Sequence, residues 1–114
     1  MSKKSVAVSR TAQDALTVLG NQVRLGRHAR GWTITELAAR LGVNPRTVSS
    51  LETGSPSVSI GTVFNAALLV GVELFGLSGP ELARARRVGD ETLALLPERV
   101  RKPARAESAD DFAF

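Results

Sequence analysis

Residues 31–54 read GWTITELAARLGVNPRTVSSLETG, and two short helices with a tight turn between them can be drawn from this stretch alone. Thr33 and Glu36 stand at the spacing of a capping box, in which each side chain satisfies the other's backbone donor. Leu37, Ala38 and Leu41 then mark one face of a helix predicted over 34–41. Gly42 follows directly. Asn44-Pro45 opens the next helix with a good N-cap and with the residue whose missing N–H costs nothing at the first helical position. That helix is expected to end near Gly54.

Two short helices joined this way form a compact unit able to place its second helix in a major groove of DNA. Its interior is expected to hold Leu37, Ala38, Leu41, Val43, Val48 and Leu51, with Ala38 small enough for a close helix crossing. The other face of the second helix then carries Asn44, Pro45, Arg46, Thr47, Ser49 and Ser50. Arg46 has the planar fork that matches the two acceptors of guanine, worth roughly 1 to 3 kcal/mol of discrimination; the competing reading is a grip on phosphate. Pro45, Ser49 and Ser50 complete the expected base-facing set. Thr33, Thr35, Asn44, Thr47, Ser55 and Ser57 are the expected phosphate contacts, helped by backbone N–H groups at a helix N-terminus.

Working outward, Thr11 and Asp14 have capping-box spacing. Leu16, Leu19 and Val23 then fall on one face of a first helix expected from about 12 to 30, with Gly31 as its stop. Gly20 and Gly26 weaken that helix by up to about 1 kcal/mol each relative to alanine, so tertiary packing must hold it. Downstream, Ser55–Ser59 reads as a loop. Ser59 caps a fourth helix whose apolar positions are Ile60, Val63, Phe64, Ala67 and Leu68. From Ser78 a fifth helix is expected through Pro80, Glu81, Leu82, Ala85 and Val88, ended or interrupted near Gly89-Asp90 and continued through Leu93 to Leu96. The segment from Pro97 to Phe114 has two prolines and alternating charge, the composition of a disordered tail.

The expected organisation is therefore all-α, about five helices with a flexible C-terminal tail. It comprises a flexible 1–10, a helix-turn-helix domain over 11–77, a helical extension over 78–96 and a tail over 97–114. Leu69, Val72, Leu74, Phe75 and Leu77 are read either as a homodimer face or as domain core. Phe112 and Phe114 are read as anchors for a partner or as a frayed end. Trp32 reads as a core plug rather than a stacking residue, and His28 as a surface residue.

Charge sharpens the picture. The chain has 114 residues, 43% hydrophobic, with a net charge of +4. Residues 1–60 carry eight Lys/Arg against Asp14, Glu36 and Glu52, and the remainder is slightly acidic. The basic half is the candidate for a polyanion. The sequence contains no cysteine and one histidine, so neither a disulfide frame nor a zinc cluster is expected, and a reducing, cytoplasmic compartment fits. No signal-length or membrane-length apolar run occurs, so no membrane association is expected. Phosphate-loop and dinucleotide motifs are missing, no cofactor is implied, and the chain does not read as an enzyme.

The 31–54 stretch resembles the helix-turn-helix of the lambda-repressor-like, or XRE, family of regulators, and the resemblance covers about residues 16–75. It implies that Arg27 pairs with Glu52 as a structural ion pair. The chain departs from the family pattern at Ile34, where a glutamine is usual, and at Pro45, often a polar reader. The helical extension, LPERVR and the acidic DDFAF ending are also similar to HipB-like antitoxins, encoded beside HipA-type kinases. That similarity implies a homodimer on a near-palindromic double-stranded operator, with a HipA-like kinase toxin as further partner. Two functions follow as expectations: a sequence-specific repressor, standing alone or autoregulating a toxin–antitoxin operon, and a protein-interaction module with secondary DNA binding.

Overall fold

The computed structural model describes residues 7–103, and all regular structure among them is helical. The elements are α1 (Arg10–Ala29), α2 (Ile34–Leu41), α3 (Pro45–Glu52), α4 (Ile60–Leu69), a 3₁₀ turn (Leu74–Gly76) and α5 (Gly79–Leu93). The chain divides into two compact units between Ser78 and Gly79.

The first unit is built around α1. Its N-cap is Ser9, whose hydroxyl accepts from the Ala12 N–H at 3.1 Å. The helix thus begins two residues before the expected start, and Thr11 lies inside it instead of capping it. Ser9 offers the same oxygen chemistry one half-turn earlier, and the earlier cap extends the hydrogen-bonded ladder. The two glycines expected to weaken α1 are where other helices touch it. A Cβ on Gly20 would lie 2.6 Å from the Leu51 carbonyl oxygen, and one on Gly26 would lie 2.8 Å from the Val70 side chain. Closeness to α3 and to the end of α4 therefore offsets the propensity cost.

The core of this unit is Val23 of α1, Leu37 and Ala38 of α2, Val48 and Leu51 of α3, and Val63, Ala66 and Ala67 of α4, closed by Val70 and Leu74. Leu37, Val23 and Val48 are the largest side chains fully removed from water. Truncating a buried leucine such as Leu37 to alanine costs about 2 to 5 kcal/mol. Leu41 and Val43 are only half-buried, at the margin of the interior expected for them.

The apolar face of α4 also differs from the periodicity reading. Val63, Ala66, Ala67 and Val70 face inward, whereas Ile60 is 70% and Leu68 50% exposed. Small residues at 66 and 67 allow α4 to approach α1 and α2 closely, and that rotates Ile60 and Leu68 outward. Leu74 is buried in its own chain, which decides the core reading for that position. Phe75, next to it, is 77% exposed and has a positive φ of 58°, a conformation that costs a bulky residue on the order of 1 to 3 kcal/mol.

In the second unit, α5 runs without a break through Gly89-Asp90, correcting the expected interruption there, and ends at Leu93. One glycine costs a helix only about 1 kcal/mol, less than a break would forfeit. No residue of α5 is buried. Residues 97–103 have no helix or strand. The tail beyond them, with Phe112 and Phe114, lies outside the described residues.

Candidate nucleic-acid interface

The geometry of the interface begins with the two caps. Thr33 N–H donates to Glu36 Oε1 at 3.0 Å, and Glu36 N–H donates to Thr33 Oγ1 at 3.0 Å, so α2 starts from a closed capping box. The Thr33 N–H first, and then the Thr33 hydroxyl, hold the Glu36 carboxyl below the usual range. The capping box leaves the Ile34 and Thr35 N–H groups as the unpaired donors of the first turn.

Gly42 ends α2 at φ 70°, and Val43 N–H returns to the Ala38 carbonyl at 3.0 Å. Only glycine adopts that left-handed position without strain, and the turn it makes sets the angle between α2 and α3. Asn44 then caps α3, its Oδ1 accepting from the Arg46 N–H at 2.8 Å, with Pro45 at the first helical position. The first backbone donors of α3 are thereby absent or used. Any contact this helix makes outward must come from side chains.

Leu37, Ala38, Val48 and Leu51 fill the angle between the helices. With those inside, Pro45, Arg46 and Ser49 stand exposed on the outer face of α3, and Thr47 and Ser50 are half-buried at its edges. Val43 of the turn and Asn44, Arg46, Thr47 and Ser50 line a shallow cleft of about 390 Å³ together with Ser57, Val58, Ser59 and Thr62 from the approach and start of α4. Six polar side chains beside one guanidinium form a surface matched to phosphate oxygens and base edges.

Val58 and Thr62 in the cleft were not singled out by the sequence reading, and Ser59 was read there only as the cap of α4. Ser59 donates its hydroxyl hydrogen to Thr62 Oγ1 at 2.9 Å, and Ser55 and Ser57 share a hydroxyl hydrogen bond of 2.9 Å. The polar Ser59 and Thr62 at the start of α4, three residues apart, were the available signal. Thr33 and Thr35 are exposed on the first turn of α2, outside the cleft. The dimer or partner candidates divide: Phe75 and Leu69 are exposed, Val72 and Leu77 are half-buried, and Leu74 is interior.

Behind this outer face, α3 is locked to α1. Arg27 Nε donates to Glu52 Oε2 at 2.6 Å and Nη2 donates to Oε1 at 2.9 Å, both residues being buried. The third guanidinium nitrogen, Nη1, donates to the Trp32 carbonyl at 2.9 Å. The Glu52 hydrogen bond raises the Arg27 pKa further above its already high value, against the opposing pull of burial. Trp32 itself is half-buried instead of plugging the core, with the Arg40 guanidinium 4.1 Å and that of Arg30 5.8 Å from its ring centre.

The helix-turn-helix domain family model matches residues 18–85. The chain belongs to that family. It is 36% identical over 58 residues to antitoxin HipB of Escherichia coli O6:H1 (strain CFT073), covering 51% of this chain and 60% of that protein. It is 34% identical over 58 residues to antitoxin HipB of Escherichia coli K12, covering 51% and 64%. The chain thus spans less than two thirds of the length of these curated relatives. No solved structure matches it significantly. Among the described residues no helix is long and apolar enough to cross a membrane.

Proposed function

We propose that the protein is a sequence-specific repressor and the antitoxin of a HipA-type kinase toxin pair, acting as a homodimer on a near-palindromic operator of its own operon. The observation that carries the DNA half of this reading is the placement of Arg46. It is exposed on the outer face of α3 and flanked by Thr47 and Ser50 in a polar cleft, while the opposite face of the helix is packed and ion-paired.

Arg46 reads guanine in the major groove, with Pro45, Ser49 and Ser50 facing neighbouring base edges. Thr33, Thr35, Thr47, Asn44, Ser55 and Ser57 hold the phosphates that fix the register. Two copies place two such helices about one DNA turn apart, which requires a half-site repeat of roughly 34 Å. Leu69, Val72, Phe75 and Leu77 belong to the surface turned to a second copy or to the kinase, as does the tail carrying Phe112 and Phe114. The similarity to antitoxin HipB supports the toxin pairing.

The test is a DNA shift series on the region upstream of the gene, with every base pair of the bound site varied. Arg46→Ala is expected to lose about 1 to 3 kcal/mol of discrimination at one position of each half-site. Uniform weakening on all sequences would instead make Arg46 a phosphate contact. Co-purification of tagged full-length protein, beside a form lacking residues 97–114, tests the kinase arm: a kinase-like partner retained only by the full chain is expected, with repression kept by both.

A further inference from the structure

α5 is an amphipathic helix none of whose fifteen residues, from Gly79 to Leu93, is buried, and Val88 and Leu93 are more than half exposed. A helix of that length is marginal in water without tertiary support, the more so with a glycine inside it.

At about 100° per residue, Leu82, Ala85, Val88, Gly89, Thr92 and Leu93 share one arc of roughly 140°, which Glu81 enters only at the first turn of the helix. Charge borders that arc on both sides in a particular order. One flank carries Arg86 and then Asp90, joined within the helix by a 2.7 Å exposed ion pair. The other carries Arg84 and then Glu91. Between residues 84 and 91 base precedes acid on each flank, and the midpoint of each pair falls at or just before Val88.

We propose that α5 pairs with α5 of a second copy, antiparallel, with the two-fold axis passing beside Val88. This inference rests on the dimeric-regulator reading and names one contact of that dimer. A two-fold axis perpendicular to an antiparallel pair sets each flank against the same flank reversed. Arg86 then meets the partner's Asp90, Arg84 meets the partner's Glu91, and both relations occur twice. A parallel pair would set Arg86 against the partner's Arg84 and Asp90 against the partner's Glu91, and like charges at that distance repel. The apolar arc agrees with the same axis, because Leu82 then lies over the partner's Leu93 and Val88 over the partner's Val88. Gly89, where an added Cβ would meet nothing within its own chain, allows the two backbones to come close at the crossing.

The sequence contains no cysteine, so one introduced thiol in the full-length protein reports the geometry. Under mild oxidation Val88→Cys is expected to yield mostly covalent dimer and Leu82→Cys to stay uncrosslinked, while a mixture of Leu82→Cys and Leu93→Cys chains crosslinks. Crosslinking of Leu82→Cys alone as fully as Val88→Cys would overturn the antiparallel pair. Charge reversal gives a second readout by sedimentation. The doubles Arg84→Glu/Arg86→Glu and Asp90→Arg/Glu91→Arg each weaken self-association by about tenfold or more, and mixing them restores it. If both doubles associate like the parent and still bind a two-half-site operator, the α5 pair is wrong and the dimeric regulator stands. A parent that remains monomeric on and off DNA overturns both.

Discussion

Arg27 near the end of α1 and Glu52 at the end of α3 hold each other through two hydrogen bonds, 2.6 and 2.9 Å long, with both side chains buried. The pair fixes α3 to the scaffold behind it. Arg27→Ala leaves a buried carboxylate alone, and the expected loss is about 3 to 5 kcal/mol, a large share of a small domain's total stability. Arg27→Lys is not a rescue, since an ammonium cannot supply the two-pronged fork. Urea unfolding followed by circular dichroism measures the cost; a change under about 1 kcal/mol would show that the pair contributes little.

Glu36 makes α2 sensitive to acid. Its carboxyl is held below the ordinary range by the Thr33 N–H and hydroxyl. The capping contribution is therefore complete above the unfolded-state pKa of about 4.3 and is lost as pH falls through the lower folded value. The stability gap between the parent and Glu36→Ala should be widest at neutral pH and close in acid. Glu36→Gln keeps a capping oxygen and should show little of that dependence. Urea unfolding at several pH values distinguishes the three, and a gap that widens in acid would contradict the assignment.

Two glycine-to-alanine changes should move stability in opposite directions. At Gly20 the new methyl would sit 2.6 Å from the Leu51 carbonyl oxygen, whereas at Gly61 it meets nothing within 4 Å. Gly20→Ala is expected to destabilise by about 1 to 3 kcal/mol, because overpacking outweighs the gain in helix propensity. Gly61→Ala is expected to stabilise by up to about 1 kcal/mol. Melting temperatures of the two variants check the signs.

Phe75 combines a left-handed backbone with an exposed ring, which touches Phe64 edge-on at 6.0 Å. Phe75→Asn removes strain and one aromatic contact together, since asparagine tolerates this conformation. The net change in stability is expected to lie within about 1 kcal/mol of zero. Sedimentation and co-purification should show the larger effect if this ring faces a second copy or the kinase.

The readable parts of the sequence were those in which neighbours in the chain satisfy one another. Thr33 with Glu36, Gly42, and Asn44 with Pro45 define α2, the turn and α3 because caps and turns are settled within four residues. The parts settled by distant contacts were harder to read. Ser9 and Thr11 offer nearly the same capping chemistry two residues apart, and the exposed first turn of α1 leaves no apolar pattern to choose between them. Ile60 and Leu68 fit an apolar period as well as Ala66 does, yet the approach of α4 to its neighbours favours the alanines. The cleft shared by Arg46 and Thr62 joins residues sixteen positions apart, and the packing of α3 and of α4 against α1 and α2 brings them together.

Trp32 is the chain's one tryptophan, and the chain has no tyrosine. Its indole lies between Arg40 of α2 and Arg30 at the end of α1, and Arg30 in turn donates to the Val70 carbonyl at 2.6 Å. Its ultraviolet emission is therefore a built-in, label-free optical gauge of a single junction. As the ends of α1, α2 and α4 separate, the ring leaves both guanidinium groups for water, and its intensity and colour follow the opening of the scaffold that carries the recognition helix.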